Sequence, residues 1–201
     1  MLRDKNKIYF VTGNAYKFEE ARRVLENMDI RLVMKGLDID EPQSDSLEYV
    51  ASKCALEATK VLKSPLIVED SGLFISSLGG FPGPYSSYVY RKVGCVGILK
   101  LLKGSKERDA YFKCVVAFAS SPHKEPVLFR GFVRGTISEN TQGKRAFGFD
   151  PIFIPSGFSV TFAKMNVVEK NAISHRGKAF RAFARWFVSK SLKRDCKEQT
   201  F

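Results

Sequence analysis

At 201 residues the chain fits one globular domain, or two small lobes that share a core. A hydrophobic fraction of 44%, seventeen Phe and an ordinary charged fraction of 27% exclude intrinsic disorder. The 33 Lys and Arg against 21 Asp and Glu leave +12, which suits a nucleotide, a nucleic acid or an anionic membrane surface, and equally a plain solvated cationic surface. Cys54, Cys95, Cys114 and Cys196 have no paired spacing, which argues against a zinc knuckle or a redox pair. Cys54 and Cys114 sit in apolar periodic contexts and are expected to be reduced core residues.

The segment "MLRDKNKIYF" has no apolar run of signal-peptide length, and nothing later approaches a membrane span, so a cytoplasmic protein is expected. Ile8 to Thr12 reads as a short buried strand. Phe18, Ala21, Val24, Leu25 and Met28 then recur at helical spacing. "IRLVMKGL" alternates like a second strand, and Leu47, Val50, Ala51, Cys54, Ala58 and Val61 mark an amphipathic helix. "LIVED" is a further strand, expected to stop at Ser71-Gly72. Residues 79–86, "GGFPGPYS", read as a non-repetitive loop ahead of a helix over 86–103. "AYFKCVVAFAS" and "PVLFRGFVRGTI", separated by "SPHKE", predict a hairpin. After a loop at 138–150, a last helix is expected from about Ser174, with Phe180, Phe183, Phe187 and Val188 on one face. The order of elements predicts an α/β fold with a mixed sheet. Residues 1–190 form a single domain with two lobes in this reading, and 191–201 a basic tail that frays.

Five stretches bear chemistry. The turn Thr12-Gly13-Asn14 opens a helix, whose unpaired N–H groups can hold an anion that Lys17 also reaches; a simple capped helix with a surface lysine has the same pattern. Glu69 and Asp70 sit at a strand end, where Asp70 suits a hard cation or proton abstraction; the plain alternative is a turn carboxylate beside a solvated Glu. Asp38, Asp40 and Glu41 either complement the next helix, which carries Lys53, or complete a divalent-cation site with Asp70. In "AFGFDPIF", Phe147 or Phe149 can stack on a heterocycle and Asp150 can accept from ring N–H groups, unless the pair only packs the core around Gly148. In "EKNAISHRGKAF", Ser174 suits a helix cap and gathers His175, Arg176 and Lys178 at a positive helix end, while His123 lies in the hairpin turn.

In this order "TGNAYK", "EDSGL", "GGFPGPYS", "FGFDPIF" and "SHRGKA" resemble the Ham1 family of inosine/xanthosine triphosphate pyrophosphatases, over roughly residues 7–190. The resemblance implies a long curved mixed sheet with two lobes around a central nucleotide cleft, commonly as a homodimer. It implies Mg2+-dependent hydrolysis of ITP, dITP and XTP to the monophosphate and pyrophosphate. By the same resemblance Thr12, Gly13, Asn14, Lys17 and Lys53 hold the triphosphate, and Glu41 and Asp70 the metal. Asp70 is also the catalytic carboxylate, with Ser71 beside the substrate. Phe147, Gly148, Phe149, Asp150, Lys170, His175 and Arg176 form the base-recognition set. The sequence departs from the family pattern in three places. Ser87 stands where some relatives have a lysine, Lys144-Arg145-Ala146 replaces a Gly-rich approach, and Phe149 is often Tyr or Trp. A Maf-like pyrophosphatase with another base preference and a basic nucleic-acid-binding protein are the alternatives. "SHRGKA" and "FGFDPIF" argue against the first, and the Glu41 and Asp70 carboxylates against the second.

Overall fold

The structure is a computed structural model that describes residues 6–26, 28, 30–144 and 147–198, with 191–198 described for their backbone alone. Lys144 is therefore described, but the loop departure at Arg145-Ala146 lies outside the described residues, as does the end of the tail. The elements in chain order are β1 (Lys7–Val11), α1 (Ala15–Glu26), β2 (Arg31–Lys35), α2 (Leu47–Leu62), β3 (Leu66–Ile75), β4 (Pro82–Gly83), α3 (Ser86–Leu101), β5 (Asp109–Ala119), β6 (Val127–Ile137), β7 (Phe153–Pro155), α4 (Val167–Ile173) and α5 (His175–Glu198). No helix of the described residues is long and apolar enough to cross a membrane.

One mixed sheet carries the fold, in the order β2-β1-β3-β5-β6-β7, with β4 also on β3. β1 pairs in parallel with β2 and β3, and the long β5–β6 hairpin runs antiparallel to β3. Alternation along the strands sorts their side chains to two faces. Ile67, Cys114, Val116 and Phe118 pack under α1 and α5, whereas Leu66, Val68, Val115 and Ala117 pack under α2. A second lobe is built on the far halves of β3, β5 and β6, where Leu73, Phe112, Val133, Phe149, Phe153 and Phe162 pack with α3.

β3 does not stop at Ser71-Gly72 as expected, but runs ten residues to Ile75. Gly72 is there for close approach rather than for a turn: a Cβ on it would stand 2.1 Å from the Gly83 carbonyl oxygen. Along one edge of β3, β1 pairs with Leu66–Val68 and β4 with Leu73 and Phe74, so Glu69–Gly72 have no strand beside them on that edge. The sheet opens at this point, where its parallel pairing ends, and crevices at such switch points bind ligands.

Three further features were not expected from the periodicity. β7 and α4 lie within 153–173; α4 starts at a capping box in which the Asn166 side chain accepts from Glu169 N and Glu169 accepts from Asn166 N. α3 is broken at Gly94, whose φ of 60° and ψ of −165° are not helical. The backbone of α5 continues as helix to Glu198, past the point where apolar periodicity ends.

α5 begins against β6 at Gly131, where an added Cβ would lie 1.8 Å from the His175 carbonyl oxygen. Gly131→Ala must push the start of α5 off the sheet, at a cost of about 1–3 kcal/mol. For a chain of this size the melting temperature falls by roughly 2–10 °C. Gly36→Ala, where a Cβ meets nothing within 4 Å, serves as the control in the same thermal melts. Equal melting temperatures for the two variants would contradict the close approach.

Candidate active site

β1 ends at Val11, and the N–H of the next residue, Thr12, still donates to Lys35 O at 3.0 Å. The chain then turns so that Thr12 Oγ1 accepts from Asn14 N and Asn14 Oδ1 accepts from Tyr16 N and Lys17 N. Asn14 thus caps α1, and a Cβ on Gly13 would meet nothing within 4 Å. Thr12 to Lys17 line one side of a cavity of about 750 Å³.

β3 supplies the floor of this cavity, and its alternation sends neighbouring carboxylates in opposite directions. Glu69 takes the direction of Ile67, towards α1 and α5, and is not the solvated side chain of the bland reading. Its side chain is fully buried and pairs with Lys17 Nζ at 2.8 Å. Its Oε1 accepts from Arg176 Nε and Nη2 at 3.2 and 3.1 Å, and from the Cys114 thiol. Burial alone would raise the carboxyl, but the charges of Arg176 and Lys17 outweigh it and hold Glu69 well below the usual carboxylate range. Arg176, itself buried, also donates from Nη1 to Glu20 and from Nη2 to Ser71 Oγ. Glu20 in turn accepts from Lys170 Nζ, which also pairs with the buried Asp150. Three cations, Lys17, Lys170 and Arg176, therefore meet three carboxylates, Glu20, Glu69 and Asp150, in one charge-balanced block.

Asp70 takes the direction of Val68 and joins Glu41 on the cavity wall. Its Oδ1 accepts from Ser71 N at 2.8 Å, whereas Oδ2 is buried without a hydrogen-bond partner. Burial pushes the carboxyl up to about 7; Lys17 opposes this, and the negative charges of Glu69 and Glu41 add to it. The ion pairs of the described residues include none to Asp70 or Glu41, so neither carboxylate of this wall has a cation in contact.

The opposite wall is aromatic and polar. Phe147, Gly148, Phe149, Asp150, His175 and Arg176 line it. Gly148 has a φ of 53°, in the left-handed region that favours glycine, and its carbonyl accepts from the Cys95 thiol. Phe149 is buried edge-on against Tyr90 at 5.4 Å, while Phe147 keeps a partly open ring. His175 stacks on Phe112 at 4.5 Å, and its Nδ1 has no hydrogen-bond partner. Burial, reinforced by the charges of Arg176 and Lys170, holds His175 well below its ordinary value, so the ring is neutral.

The structure thus gathers Thr12, Gly13, Asn14, Lys17, Glu41, Asp70, Ser71, Phe147, Gly148, Phe149, Asp150, His175 and Arg176 around one cavity. It does not place two residues expected to touch substrate. Lys53 is exposed on α2, with its ammonium over Tyr49, and does not line the cavity, because its helix position faces solvent. Lys170 is buried behind the wall, held by Glu20 and Asp150. Asp38 and Asp40 are exposed and also stand outside the lining. Sequence reasoning missed Glu20, Tyr16 and Arg91, and undervalued Glu69. Arg91 lines the cavity one turn after Ser87, and its Nη1 donates to Ser87 Oγ at 3.1 Å. For Glu69 a signal existed, since a carboxylate inside the run "LIVED" must be paired if the strand is buried.

A capped helix start, a carboxylate pair and aromatic side chains at the opening of a mixed sheet define the class as an α/β protein with a cavity where such sheets place their ligand sites. The chain belongs to the Ham1 family, whose model matches residues 8–186. It is 49% identical over 181 residues to the dITP/XTP pyrophosphatase of Methanopyrus kandleri, covering 90% of this chain and 96% of that protein. It is 46% identical over 190 residues to the dITP/XTP pyrophosphatase of Saccharolobus solfataricus, covering 94% and 97%. Among solved structures, a HAM1 protein from Coxiella burnetii superposes with a TM-score of 0.81 at 28% identity, covering 91% of this chain and 98% of that one.

The buried, unpaired Asp70 carboxylate predicts a pH-dependent stability. Its folded-state pKa lies above the unfolded value near 4, so ionisation costs the folded state nothing below about pH 4 and the full penalty above about pH 7. Asp70→Asn removes a penalty of roughly 2–4 kcal/mol at pH 8. The variant is expected to melt several degrees higher than the parent at pH 8 without divalent metal, and by less at pH 5. An advantage larger at pH 5 than at pH 8 would contradict this environment for Asp70.

Proposed function

We propose that the chain hydrolyses dITP, XTP and ITP to the nucleoside monophosphate and pyrophosphate with Mg2+. The observation that carries the reading is that one cavity is lined by the Thr12–Lys17 turn, by the carboxylates of Asp70 and Glu41, and by Phe147 to Asp150 with His175 and Arg176. The residues present fit Mg2+. Mg2+ uses one or two carboxylates together with substrate phosphates and water. Here two carboxylates lack a cation, Asp70 Oδ2 lacks any partner, and no cluster of three ligating side chains exists among the described residues. When bound, Mg2+ supplies neutralisation of phosphate charge.

The chain's own residues supply the rest. The turn at Gly13 admits phosphate to the start of α1, and Lys17, one turn in, adds a positive charge for the leaving pyrophosphate. Arg91, at the cavity rim, offers a further cation where the family pattern has a lysine at the place of Ser87. Asp70 orients the attacking water and takes its proton at Oδ2. Hydrolysis between the α- and β-phosphates needs an in-line water, and the buried floor of β3 fixes where that carboxylate stands. The purine enters the slot beside Phe147. The neutral ring of His175 keeps one N–H donor, which suits a 6-oxo group and meets the 6-amino group of adenine donor to donor. Arg176, already donating to Glu20, Glu69 and Ser71, fixes this wall rather than reaching freely into the cavity.

Pyrophosphate release from dITP, XTP, ITP, GTP and ATP, each with and without Mg2+, tests the reading. Fast release is expected from the first three, and only with Mg2+. Equal rates across the panel would remove the base selection, and no release would remove the function. Asp70→Asn is expected to lose turnover by a factor of about 100 or more while remaining folded by circular dichroism. Turnover close to that of the parent would strip Asp70 of its role.

A further inference from the structure

Tyr16 is the second residue of α1, and 66% of it is exposed. Its ring leans on Phe147, with centroids 5.5 Å apart and planes inclined by 35°, and both side chains line the cavity. Tyr16 and Glu20 are one helical turn apart and share a face of α1. Glu20 is the carboxylate that binds Arg176 and Lys170 beneath that wall. The Phe147 ring is backed by those same cations, with Arg176 Cζ and Lys170 Nζ each 5.4 Å from its centroid. Phe147 is thus braced by buried charge, whereas Tyr16 reaches it from an open helix end. The backbone of Tyr16 is tied to the cap, its N–H donating to Asn14 Oδ1, which leaves only the side chain to move.

Two rings in direct contact leave no room for a base between them, since a ring held between both needs centroids about 7 Å apart. We propose that Tyr16 is the movable half of an aromatic clamp. The purine takes the place of Phe147 as the stacking partner of Tyr16, which swings out to cover the outer face of the base. The proposal rests on the function proposed above, and it makes Tyr16 a binding residue of this chain that touches base and not phosphate. The helix turn that carries Lys17 to the phosphates thereby carries the base cover as well.

The test compares Tyr16→Ala and Tyr16→Phe with the parent. Loss of one base–aromatic contact raises KM for dITP and XTP roughly five- to a hundredfold in Tyr16→Ala, with kcat within about twofold. Tyr16→Phe keeps the ring and is expected to keep the parent KM. Inorganic tripolyphosphate has no base, so its inhibition constant is expected to be the same for all three proteins. An unchanged KM in Tyr16→Ala overturns the proposal. A rise in KM matched by an equal rise in the tripolyphosphate constant also overturns it, since Tyr16 would then act only by holding the cradle. If the parent releases no pyrophosphate from dITP or XTP, the proposed function has failed. The clamp is then judged by calorimetric binding of inosine monophosphate, where weaker binding to Tyr16→Ala supports it, and equal or absent binding to parent and variant overturns it.

Discussion

The fully buried carboxylate of Glu69 is the constraint around which the site is assembled. A charge taken out of water is tolerable only with partners of excellent geometry, and removing one partner of such a pair costs several kcal/mol. The two cationic partners of Glu69 come from opposite ends of the chain: Lys17 from the first helix and Arg176 from the last. Satisfying one side chain therefore fixes where α1 and α5 start relative to the sheet. Both of those starts line the cavity. The remaining ions, Glu20, Lys170 and Asp150, extend the block without leaving a net charge. Among the described residues that line the cavity, the carboxylates of Asp70 and Glu41 are the ones without an ion pair.

The period of a strand does the rest of the sorting. Consecutive residues of β3 face opposite sides, so Glu69 and Asp70 have different fates although they are adjacent and chemically alike. Glu69 meets two cations and is held ionised; Asp70 meets a carboxylate and apolar surroundings and has a raised pKa. Both lie where β3 has lost β1 as a neighbour and not yet gained β4. The candidate site lies at this gap, where Asp70, Ser71 and Gly72 line the cavity rather than being covered by another strand.

Much of this was legible in the sequence, and the failures have physical causes. β1, α2 and the β5–β6 hairpin announce themselves by periodicity that burial enforces. β3 was read too short because Ser-Gly resembles a turn, whereas Gly72 serves the close passage of Gly83. α4 was missed although Asn166 and Glu169 have the spacing of a capping box. In the site, Thr12 to Lys17, Glu41 and Asp70, Phe147 to Asp150, and His175 and Arg176 were singled out as stretches, and the structure brings them to one cavity, but their residue types alone left a plain structural reading open and only the order of the motifs tied them together. Glu20 is not legible, since it looks like its solvated neighbour Glu19 until Arg176, 156 residues away, is brought to it. Lys53 and Lys170 show the converse. Lys53 was expected at the triphosphate and Lys170 at the base, but the first faces solvent and the second is committed to two carboxylates.

The break in α3 has a consequence for how one segment serves two masters. Ser87 and Arg91 line the cavity, while Cys95, Ile98 and Leu102 are buried in the second lobe. Spaced by three and four residues, these five would form one continuous stripe on an unbroken helix. The same stripe would then have to be wet at its start and dry at its end, drawing the Arg91 guanidinium in towards the apolar core. The left-handed residue at Gly94 resets the helical phase between the two sets. Because of that reset, the rim of the cavity and the filling of the lobe can be altered independently, although both are carried by α3 and the residue that caps it.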